Sequence, residues 1–515
     1  MAMRRLFAVL LLLAAAAISC GKSDRWNARN LRVGIEDQPK TLDPRFATDA
    51  YGVRITHQLL FSTLVEEDFD LRIVPGLAER WETPDDSTYV FHLRPGVTFH
   101  DGRPLTSGDV KFTFDHISAP ETCSPFGAAL REAISSIEAL DPLTIRFKLY
   151  RPFAPFLNLL VFPILPKHIL EHQKDFAGRP VGSGPFEFVA QTPTEIILAS
   201  NERYYGGAPK FDRLVLKVIA DDNTRFLKMR KGELDLLINA ISLDKIDAVK
   251  QAPLSAAYRV IEEPGTSYNY LALNLEDPLL RDVRFRRALA LAIDADAIIA
   301  HLLRGHAVRA AGLLSPVNRF YEGRVAVYPH DPEKARAILA ELGEAASVGE
   351  SGGKPGASLQ LKTNNNAQAI GIARVLQAQL ASVGIRLDIR SFEWGTFYGD
   401  VKAGNFQAAS MRWVGIVEPD FFYDVFHSSR IPPNGNNRGR YRSEEMDKLL
   451  EAGRTTTEFA QRKAIYSEVQ KEAAEDLPYI SLWHVNNISI VHRRVRGYRQ
   501  HPTGGFLSLR DVALD

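Results

Sequence analysis

Residues 366–392, NAQAIGIARVLQAQLASVGIRLDIRSF, limit the fold of this chain more than any other segment. Apolar residues recur there at helical spacing, at Ile370, Ala373, Leu376, Leu380 and Val383. Gly384 follows, at the place where a glycine commonly ends a helix. Apolar and charged residues then alternate from Ile385 to Arg390, which predicts a strand. A helix followed at once by a strand is half of a parallel-sheet crossover, so the segment favours an α/β fold.

The rest of the chain repeats this mixture of short strands and helices. Strand-like runs occur at LRVGI, TYVFHL, TIRFKL and RLVLKVI. DPEKARAILAEL predicts a helix that Asp331 caps and Pro332 begins. Residues 343–358 are rich in Gly, Ser and Pro and indicate an exposed loop. A chain of 515 residues has room for two or three domains of this α/β or α+β kind.

The N-terminus has the features of an export signal. A pair of arginines precedes the apolar run Leu6–Ile18, which is shorter than the about 20 residues that a membrane-spanning helix needs. Cys20 follows, and the arrangement resembles a bacterial lipoprotein cleavage site, where the cysteine is acylated and becomes the mature N-terminus. We therefore expect a signal peptide over residues 1–20, lipidation of Cys20 and a tether over residues 21–30. Secretion without a lipid is the alternative, because Ala17 stands where that pattern prefers leucine.

Charge and cysteine content exclude several classes of protein. The net charge is +1, and without the two arginines of the signal peptide 61 basic residues stand against 62 acidic ones, a net of −1. Such a balance gives no electrostatic reason to expect nucleic acid. If Cys20 is lipidated, Cys123 has no partner, so we expect no disulfide. No other segment is long and apolar enough to span a membrane.

The catalytic and metal motifs that we searched for are absent or incomplete. Ser183 lies in GSGP, which lacks the G-x-S-x-G spacing of a nucleophile elbow and favours a turn. His168 and His172 are four residues apart, but the glutamate precedes the second histidine and no third ligand lies nearby, so we expect no metal site. HDG at residues 100–102 also favours a turn. No Walker loop, Rossmann fingerprint or CxxC occurs, and we expect neither an enzyme nor a cofactor.

Six segments, in the same order along the chain, resemble a known family. TFHDGRPLTSGDVKFTFD (98–115) closely resembles the signature of the extracytoplasmic solute-binding proteins, family 5, the peptide, nickel and related receptors of ABC importers. GSGPFEF, NERYYGGAPKFDRLVLKVIAD, KGELDL, NLEDPLLRDVRFRRALALAID and DPEKARAIL resemble further family motifs. The resemblance covers nearly the whole chain that follows the signal peptide.

The resemblance implies a fold and a domain order. It implies an α/β fold with two lobes, the periplasmic-binding-protein-like fold of type II, and an extra subdomain inserted near the N-terminus. We expect lobe 1 over residues 31–270 with the insert at about 45–180, lobe 2 over 271–478, and a C-terminal return to lobe 1 over 479–515. The crossovers between the lobes are expected at Thr266–Asp277 and Glu475–Asn487, and the lobes are expected to close on a ligand.

RWVGIVEPDFFYDVF (412–426) is where the resemblance places the ligand. In the family, a tryptophan near a [DE]-P pair lies at the cleft on the second lobe, and Trp413 and Glu418 match that arrangement. An indole offers a large apolar face to a ligand, and Arg412 and Glu418 could bind charged ends of a ligand. Tyr268 and Asn269, on a crossover, are further candidates. The alternative is that Trp413 belongs to the core, and for the phenylalanines of this segment we favour packing on one helix face.

Ile416 departs from the pattern of the peptide receptors. In the di- and oligopeptide receptors an aspartate stands three residues after the tryptophan and pairs with the free amino group of the ligand. Ile416 occupies that place here, and the loop is one residue shorter before the proline. The resemblance therefore gives no residue that would bind the free amino group of an unmodified peptide, unless Glu418 takes over the contact. Nickel chelates, sugars and modified peptides stay open.

Taken together, these features predict an extracytoplasmic substrate-binding lipoprotein of an ABC importer. Its partners would be a peptide-like or related small solute, the permease subunits and, through the lipid of Cys20, a membrane at the periplasmic or cell surface. We expect a monomer. A ligand-binding sensor or chaperone on the same scaffold is the main alternative, and a secreted hydrolase would need a nucleophile–base pair that the sequence lacks.

Overall fold

A computed structural model describes residues 29–172, 176–343 and 356–515 of the protein. The predicted signal peptide, most of the tether and Cys20 lie outside the described residues. The α-helices of the described part are Ala50–Ile55, Ser107–Ser118, Gly127–Ala133, Phe156–Leu159, Lys167–Leu170, Asp222–Arg230, Leu243–Val249, Leu254–Ala257, Pro278–Arg281, Val283–Ala292, Ala295–Ala297, Pro332–Glu341, Ala367–Ser382, Trp394–Ala403, Phe421–Phe426, Glu444–Thr455 and Phe459–Asp476.

Strands and helices alternate along the chain, which confirms the predicted α/β class. The strands are β1 Asn30–Ile35, β2 Val65–Glu67, β3 Ile73–Pro75, β4 Ala78–Asp85, β5 Thr88–Leu93, β6 Ile134–Asp141, β7 Thr144–Leu149, β8 Phe186–Thr192, β9 Glu195–Ser200, β10 Arg213–Val218, β11 Leu236–Ile238, β12 Tyr258–Leu273, β13 Ala307–Arg309, β14 Ser358–Asn364, β15 Arg386–Phe392, β16 Ala408–Trp413, β17 Tyr479–His492, β18 Val495–Arg496 and β19 Ala513–Leu514.

The main sheet has the order β15-β14-β16-β12-β17-β11-β1-β10-β9-β8, with β13 added to β17. We call the part built on β1 and β8–β11 the first lobe and the part built on β13–β16 the second lobe. Each lobe has its own buried cores, with one large cluster in the first lobe and two in the second, on opposite faces of its strands. Apolar burial of this extent is the main force that holds each lobe together.

Two long antiparallel strands, β12 and β17, run through both lobes. Their first-lobe halves pair from Tyr258 to Pro264, and the register shifts before pairing resumes at Tyr268. β11 of the first lobe and β13 of the second both pair with β17, while β16 pairs with β12. The two strands overlap both predicted crossovers, although the lobe boundaries themselves stay a prediction.

A separate sheet of order β4-β5-β7-β6 lies within the range predicted for the insert. Helices Ser107–Ser118, Gly127–Ala133 and Phe156–Leu159 accompany it, and its apolar side chains join the core cluster of the first lobe. We call these strands and helices the small-sheet subdomain. The segment that follows β7 contacts the second lobe.

Local predictions agree closely with the structure. The predicted helix is Ala367–Ser382, Gly384 has a φ of +89°, and β15 follows and pairs in parallel with β14. Asp331 caps the helix Pro332–Glu341 by accepting a hydrogen bond from the backbone N–H of Lys334. In these places the local sequence and the surrounding fold favour the same conformation.

Candidate functional site

The second lobe presents the carboxyl ends of three strands at one edge of its sheet. β14, β15 and β16 are parallel and adjacent, so Asn364, Phe392 and Trp413 end their strands on the same side. Ligands of α/β proteins commonly bind beyond such carboxyl ends. The segment that follows Trp413 is the one that the sequence singled out.

Four of the predicted site residues are neighbours on two paired strands. Trp413 pairs with Tyr268, and Arg412 pairs with Asn269. Because successive side chains of a strand point to opposite faces, Trp413 and Tyr268 share one face of the sheet and Arg412 and Asn269 share the other. The structure thus brings the four together at one point of the fold but divides them between two faces.

Trp413 is half-buried and packed on several sides. The Arg438 guanidinium lies 4.2 Å from the centre of its ring, and the ring of Phe421 meets it edge-on at 5.0 Å between centroids. The ring of Tyr270 is nearly parallel to that of Trp413, with 6.2 Å between the ring centroids. Arg438 also lies over Tyr398, whose ring stacks on the exposed Trp394. Trp413 is therefore one member of an aromatic and arginine series that ends in the exposed Trp394.

Arg412 is an exposed cation in crowded surroundings. Its side chain is open to solvent, yet desolvation by the surrounding protein lowers the pKa of its guanidinium. No ion pair or side-chain hydrogen bond joins it to another of the described residues. Tyr268, in contrast, is fully buried and its hydroxyl is 2.7 Å from the Ser481 hydroxyl, while Asn269 makes only a long contact of 3.4 Å to the Trp483 carbonyl.

Glu418 is engaged by a buried arginine. The Arg462 guanidinium donates a hydrogen bond to the Glu418 carboxylate and a second one, of 2.9 Å, to the Gly453 carbonyl. Arg462 is 6% exposed. The carboxylate also accepts a 3.3 Å hydrogen bond from the backbone N–H of Asp420. Glu418 therefore neutralises a charge of the second lobe, although the residue also lines the cavity described next.

A cavity of about 510 Å³ separates the small-sheet subdomain from the segment Val414–Arg430. We call that segment the site loop and this space the interlobe cavity. From the small-sheet side, Phe153, Leu159 and the helix Gly127–Ala133 contribute to the lining, and from the second lobe, Arg454 joins the site loop. Pockets that hold small molecules commonly have this size and a mainly apolar lining.

Arg454 joins the two sides of the interlobe cavity. Its carbonyl accepts a 2.7 Å hydrogen bond from the backbone N–H of Ala154, and its guanidinium lies 5.0 Å from the ring centre of Phe153. The same guanidinium lies 3.9 Å from the ring centre of Tyr423 and 3.1 Å from the Asp420 carboxylate. Arg454 thus connects the small-sheet subdomain to the site loop.

Two carboxyl groups near the cavity have strongly shifted pKa values. Burial raises the pKa of Asp420 to about 7, with Arg454 opposing the shift and Glu418 adding to it. Burial also raises the pKa of Glu67, on β2 of the first lobe, to about 7, and the negative charges of Asp68 and Glu418 add to the rise. The negative charge of Glu418 adds to both shifts, so both carboxyl groups are within electrostatic reach of the site loop.

Thr266 connects the site loop to the first lobe. Its carbonyl accepts a 3.3 Å hydrogen bond from the backbone N–H of Ile416, and its own N–H donates one of 3.2 Å to the Pro502 carbonyl. The Ile416 side chain is 4% exposed and belongs to a core of the second lobe. Ile416 therefore neither replaces the missing aspartate chemically nor exposes an apolar side chain at its place.

The second-lobe cavity that Tyr268 lines is a different space. It measures about 250 Å³ and lies within the second lobe, where Phe422, Phe426 and Tyr479 also line it. Phe422 and Phe426 are buried on one face of the helix Phe421–Phe426, as predicted. The prediction is wrong for Phe421, which is half-buried and lines the interlobe cavity instead. Since the first lobe contributes nothing to its lining, this cavity is not the space that closes between lobes.

The matched family decides what kind of protein this is. The family model of the bacterial extracellular solute-binding proteins, family 5, matches residues 72–433, well over half of the chain. The chain belongs to this family. Its proteins are receptors that bind solutes and do not transform them, which agrees with the incomplete catalytic motifs of the sequence.

Relatives of this family 5 receptor match more than nine tenths of its length. The dipeptide-binding protein of Escherichia coli (strain K12) is 30% identical over 93% of each chain, and di/tripeptide-binding protein 4 of Pseudomonas aeruginosa (strain UCBPP-PA14) is 32% identical over 96% of each. The oligopeptide-binding protein AppA of Bacillus subtilis, solved with a nonapeptide, is 28% identical and superposes with a TM-score of 0.78 over 94% of this chain and 99% of its own. The two-lobed type II fold is thereby confirmed.

Other motifs of this receptor have structural roles. Asp101 and Gly102 form the expected turn, with a φ of +86° at Gly102, and the Asp101 carboxylate is 2.7 Å from His168.

Within the described ranges, no cluster of three or more His, Cys, Asp or Glu could hold a metal ion, and no helix there is long and apolar enough to cross a membrane.

Sequence reasoning missed the groups that complete the interlobe cavity. Phe153 and Arg454 are distant in sequence from each other, and neither stands in a motif. The exposed Trp394, at the far end of the series that includes Trp413, could have been found from the sequence. It follows the end of β15, and β15 is parallel to β16, so the two tryptophans had to lie at the same edge of the sheet.

Proposed function

We propose that this receptor captures a peptide-like solute in the interlobe cavity and delivers it to the permease of an ABC importer. The cavity carries the proposal, because it lies between the small-sheet subdomain and the second lobe, and the site loop forms its second-lobe side. The relatives support a peptide-like solute, since several are named for binding dipeptides, tripeptides or oligopeptides. Of the five predicted ligand-site residues, Glu418 lines this cavity. Trp413, Arg412, Tyr268 and Asn269 lie beside it on the paired strands β16 and β12 and stay proposed ligand-site residues.

Closure of the lobes is the proposed mechanism of capture. β12 and β17 would bend where their register shifts, between Pro264 and Tyr268, and Arg454 would meet Phe153 and Ala154 as the lobes approach. We keep residues 271–478 as the proposed second lobe and the insert at about 45–180. Hinged closure around a ligand is well known among binding proteins of two lobes.

Isothermal titration calorimetry with a library of di- to pentapeptides, free and N-acetylated, tests the proposed solute class. Binding with micromolar or tighter affinity by members of the library is the expected result. A receptor that ignores every peptide and instead binds a sugar or a metal chelate would contradict it.

Lipid anchoring through Cys20 is part of the same proposal, with the mature protein acting as a monomer at the outer side of a membrane. The apolar run before Cys20 supports it. Cys20→Ala should move the protein from the membrane fraction to the soluble extracytoplasmic fraction. Unchanged membrane association of the variant would contradict lipidation at Cys20.

A further inference from the structure

Charged side chains of both signs line the interlobe cavity. Its lining contains four acidic and three basic side chains, Glu132, Arg151, Glu418, Asp420, Asp424, Arg430 and Arg454. Those that come from the second lobe are all engaged in ion pairs. A charged group of a ligand would therefore meet side chains whose charges are already balanced.

Each carboxylate of the second-lobe side has an arginine beside it, so this side carries no net negative charge. Glu418 accepts from Arg462, and Asp420 lies 3.1 Å from Arg454. Asp424 lies 3.6 Å from Arg430 and accepts a hydrogen bond from Asn436. Burying an ammonium is costly, and a cationic end of a ligand would meet no net negative charge here to offset that cost.

The small-sheet side contributes no stronger charge. Glu132 and Arg151 are both exposed and of opposite sign. Exposed charges of this kind are screened by solvent and contribute little binding energy. Their place in the lining does not select a cation or an anion.

Apolar groups make up much of the remaining lining. Phe153, Leu159, Val414 and Phe421 all contribute. Val414 is 63% exposed, although it lies between the half-buried Trp413 and the buried core residue Ile416. An exposed apolar side chain that lines a cavity of about 510 Å³ is suited to an apolar group, because covering both removes apolar surface from water.

We infer that the interlobe cavity selects an uncharged, apolar end or side chain of the solute. The inference rests on the proposed function and narrows its substrate class to peptide-like solutes with a hydrophobic, uncharged group, such as a peptide whose amino group is acylated. Arg412, outside the cavity lining, stays available for a carboxylate elsewhere on the ligand.

Calorimetry at pH 7.5 with defined tripeptides tests the inference. The probes are trileucine, N-acetyl-trileucine, and versions of the latter in which lysine or aspartate replaces one leucine at a time. N-acetyl-trileucine should bind at least as tightly as trileucine. At one position, both charged replacements should weaken binding at least tenfold.

Two variants locate the selective site. Val414→Lys brings a charge into the cavity at an exposed side chain and should weaken N-acetyl-trileucine binding at least tenfold, whereas the matched control Val189→Lys, 47% exposed on β8, should leave it unchanged. Ala129→Trp should fill the cavity from the small-sheet side and remove the selectivity, with Ala378→Trp, at an exposed helical alanine outside the cavity, as its control. Circular dichroism establishes that each variant is folded.

The outcomes separate the inference from the proposed function. Tight binding of the lysine or aspartate probes at every position, a tenfold preference for trileucine over its acetylated form, or unchanged binding in both folded cavity variants would overturn the inference and leave a peptide receptor standing. Absence of binding by every probe, while another class of solute binds, would overturn the proposed function and the inference with it.

Discussion

Replacing Glu418 with glutamine separates a structural role of its carboxylate from a role in ligand binding. The carboxylate accepts a hydrogen bond from Arg462, and the side chains of the two residues are 19% and 7% exposed. A hydrogen bond to a charged group contributes about 1.5–3 kcal/mol. Glutamine keeps an oxygen acceptor but removes the charge opposite a buried guanidinium. We therefore expect Glu418→Gln to lower the free energy of unfolding by about 1.5–3 kcal/mol.

Urea unfolding of the ligand-free protein measures this change. Glu468→Gln is the matched control, because Glu468 lies on the same helix as Arg462 and pairs with Lys471 at 2.8 Å with both side chains well exposed. That control should lower the free energy of unfolding by less than about 1 kcal/mol. If Glu418→Gln leaves stability unchanged but weakens ligand binding more than tenfold, the carboxylate is a ligand group and our structural interpretation of it is wrong.

Three further predictions concern the aromatic site, closure and pH. Trp413→Ala should weaken ligand binding more than tenfold, because loss of an aromatic anchor costs about 2 kcal/mol or more. The ligand-induced shift in tryptophan emission should also become smaller. Equal ligand affinities of the variant and the wild-type protein would place Trp413 outside the site. Phe153→Ala removes the cation–π contact with Arg454 that joins the two sides of the cavity, worth about 1 kcal/mol, so it should weaken ligand binding about fivefold. In the wild-type protein, saturating ligand should reduce the radius of gyration measured by small-angle scattering and leave the circular dichroism spectrum unchanged. Identical scattering curves with and without ligand would contradict closure. Stability should fall from pH 6.5 towards pH 4, because burial lowers the pKa of His57, His100, His484 and His501 to about 4, so the unfolded chain binds more protons than the folded one in this range. The raised pKa values of Glu67 and Asp420 act in the opposite sense between about pH 4 and 7. Urea unfolding at pH 7 and pH 5 measures the difference, and we expect a net fall in the free energy of unfolding at pH 5.

Predictions from the sequence were accurate where local pattern and tertiary packing agree. The helix Ala367–Ser382 and the strand after it follow their apolar periodicity, and Phe422 and Phe426 share a buried helix face. The family motifs are likewise short, continuous segments of the sequence. These features depend on residues that are near one another in sequence, so a short window contains the whole signal.

The interlobe cavity could not be predicted in this way. Phe153 and Arg454 meet only because the fold brings the small-sheet subdomain to the second lobe. Arg462 and Glu418 look like ordinary surface charges until the structure pairs them. The placement of Arg412 and Trp413 on opposite faces, in contrast, can be predicted from the sequence. Successive side chains of a strand point to opposite faces, so it is enough to recognise the segment before the site loop as a strand.

Native mass spectrometry of the receptor purified without denaturation from its own cells tests the central claim most directly. A solute held between closed lobes should remain bound, add a discrete mass to the protein and be released on denaturation as a small peptide-like molecule with an uncharged, apolar group. A protein that carries a sugar, a metal chelate or another solute without peptide-like bonds, and that exchanges it for no peptide, would contradict the account.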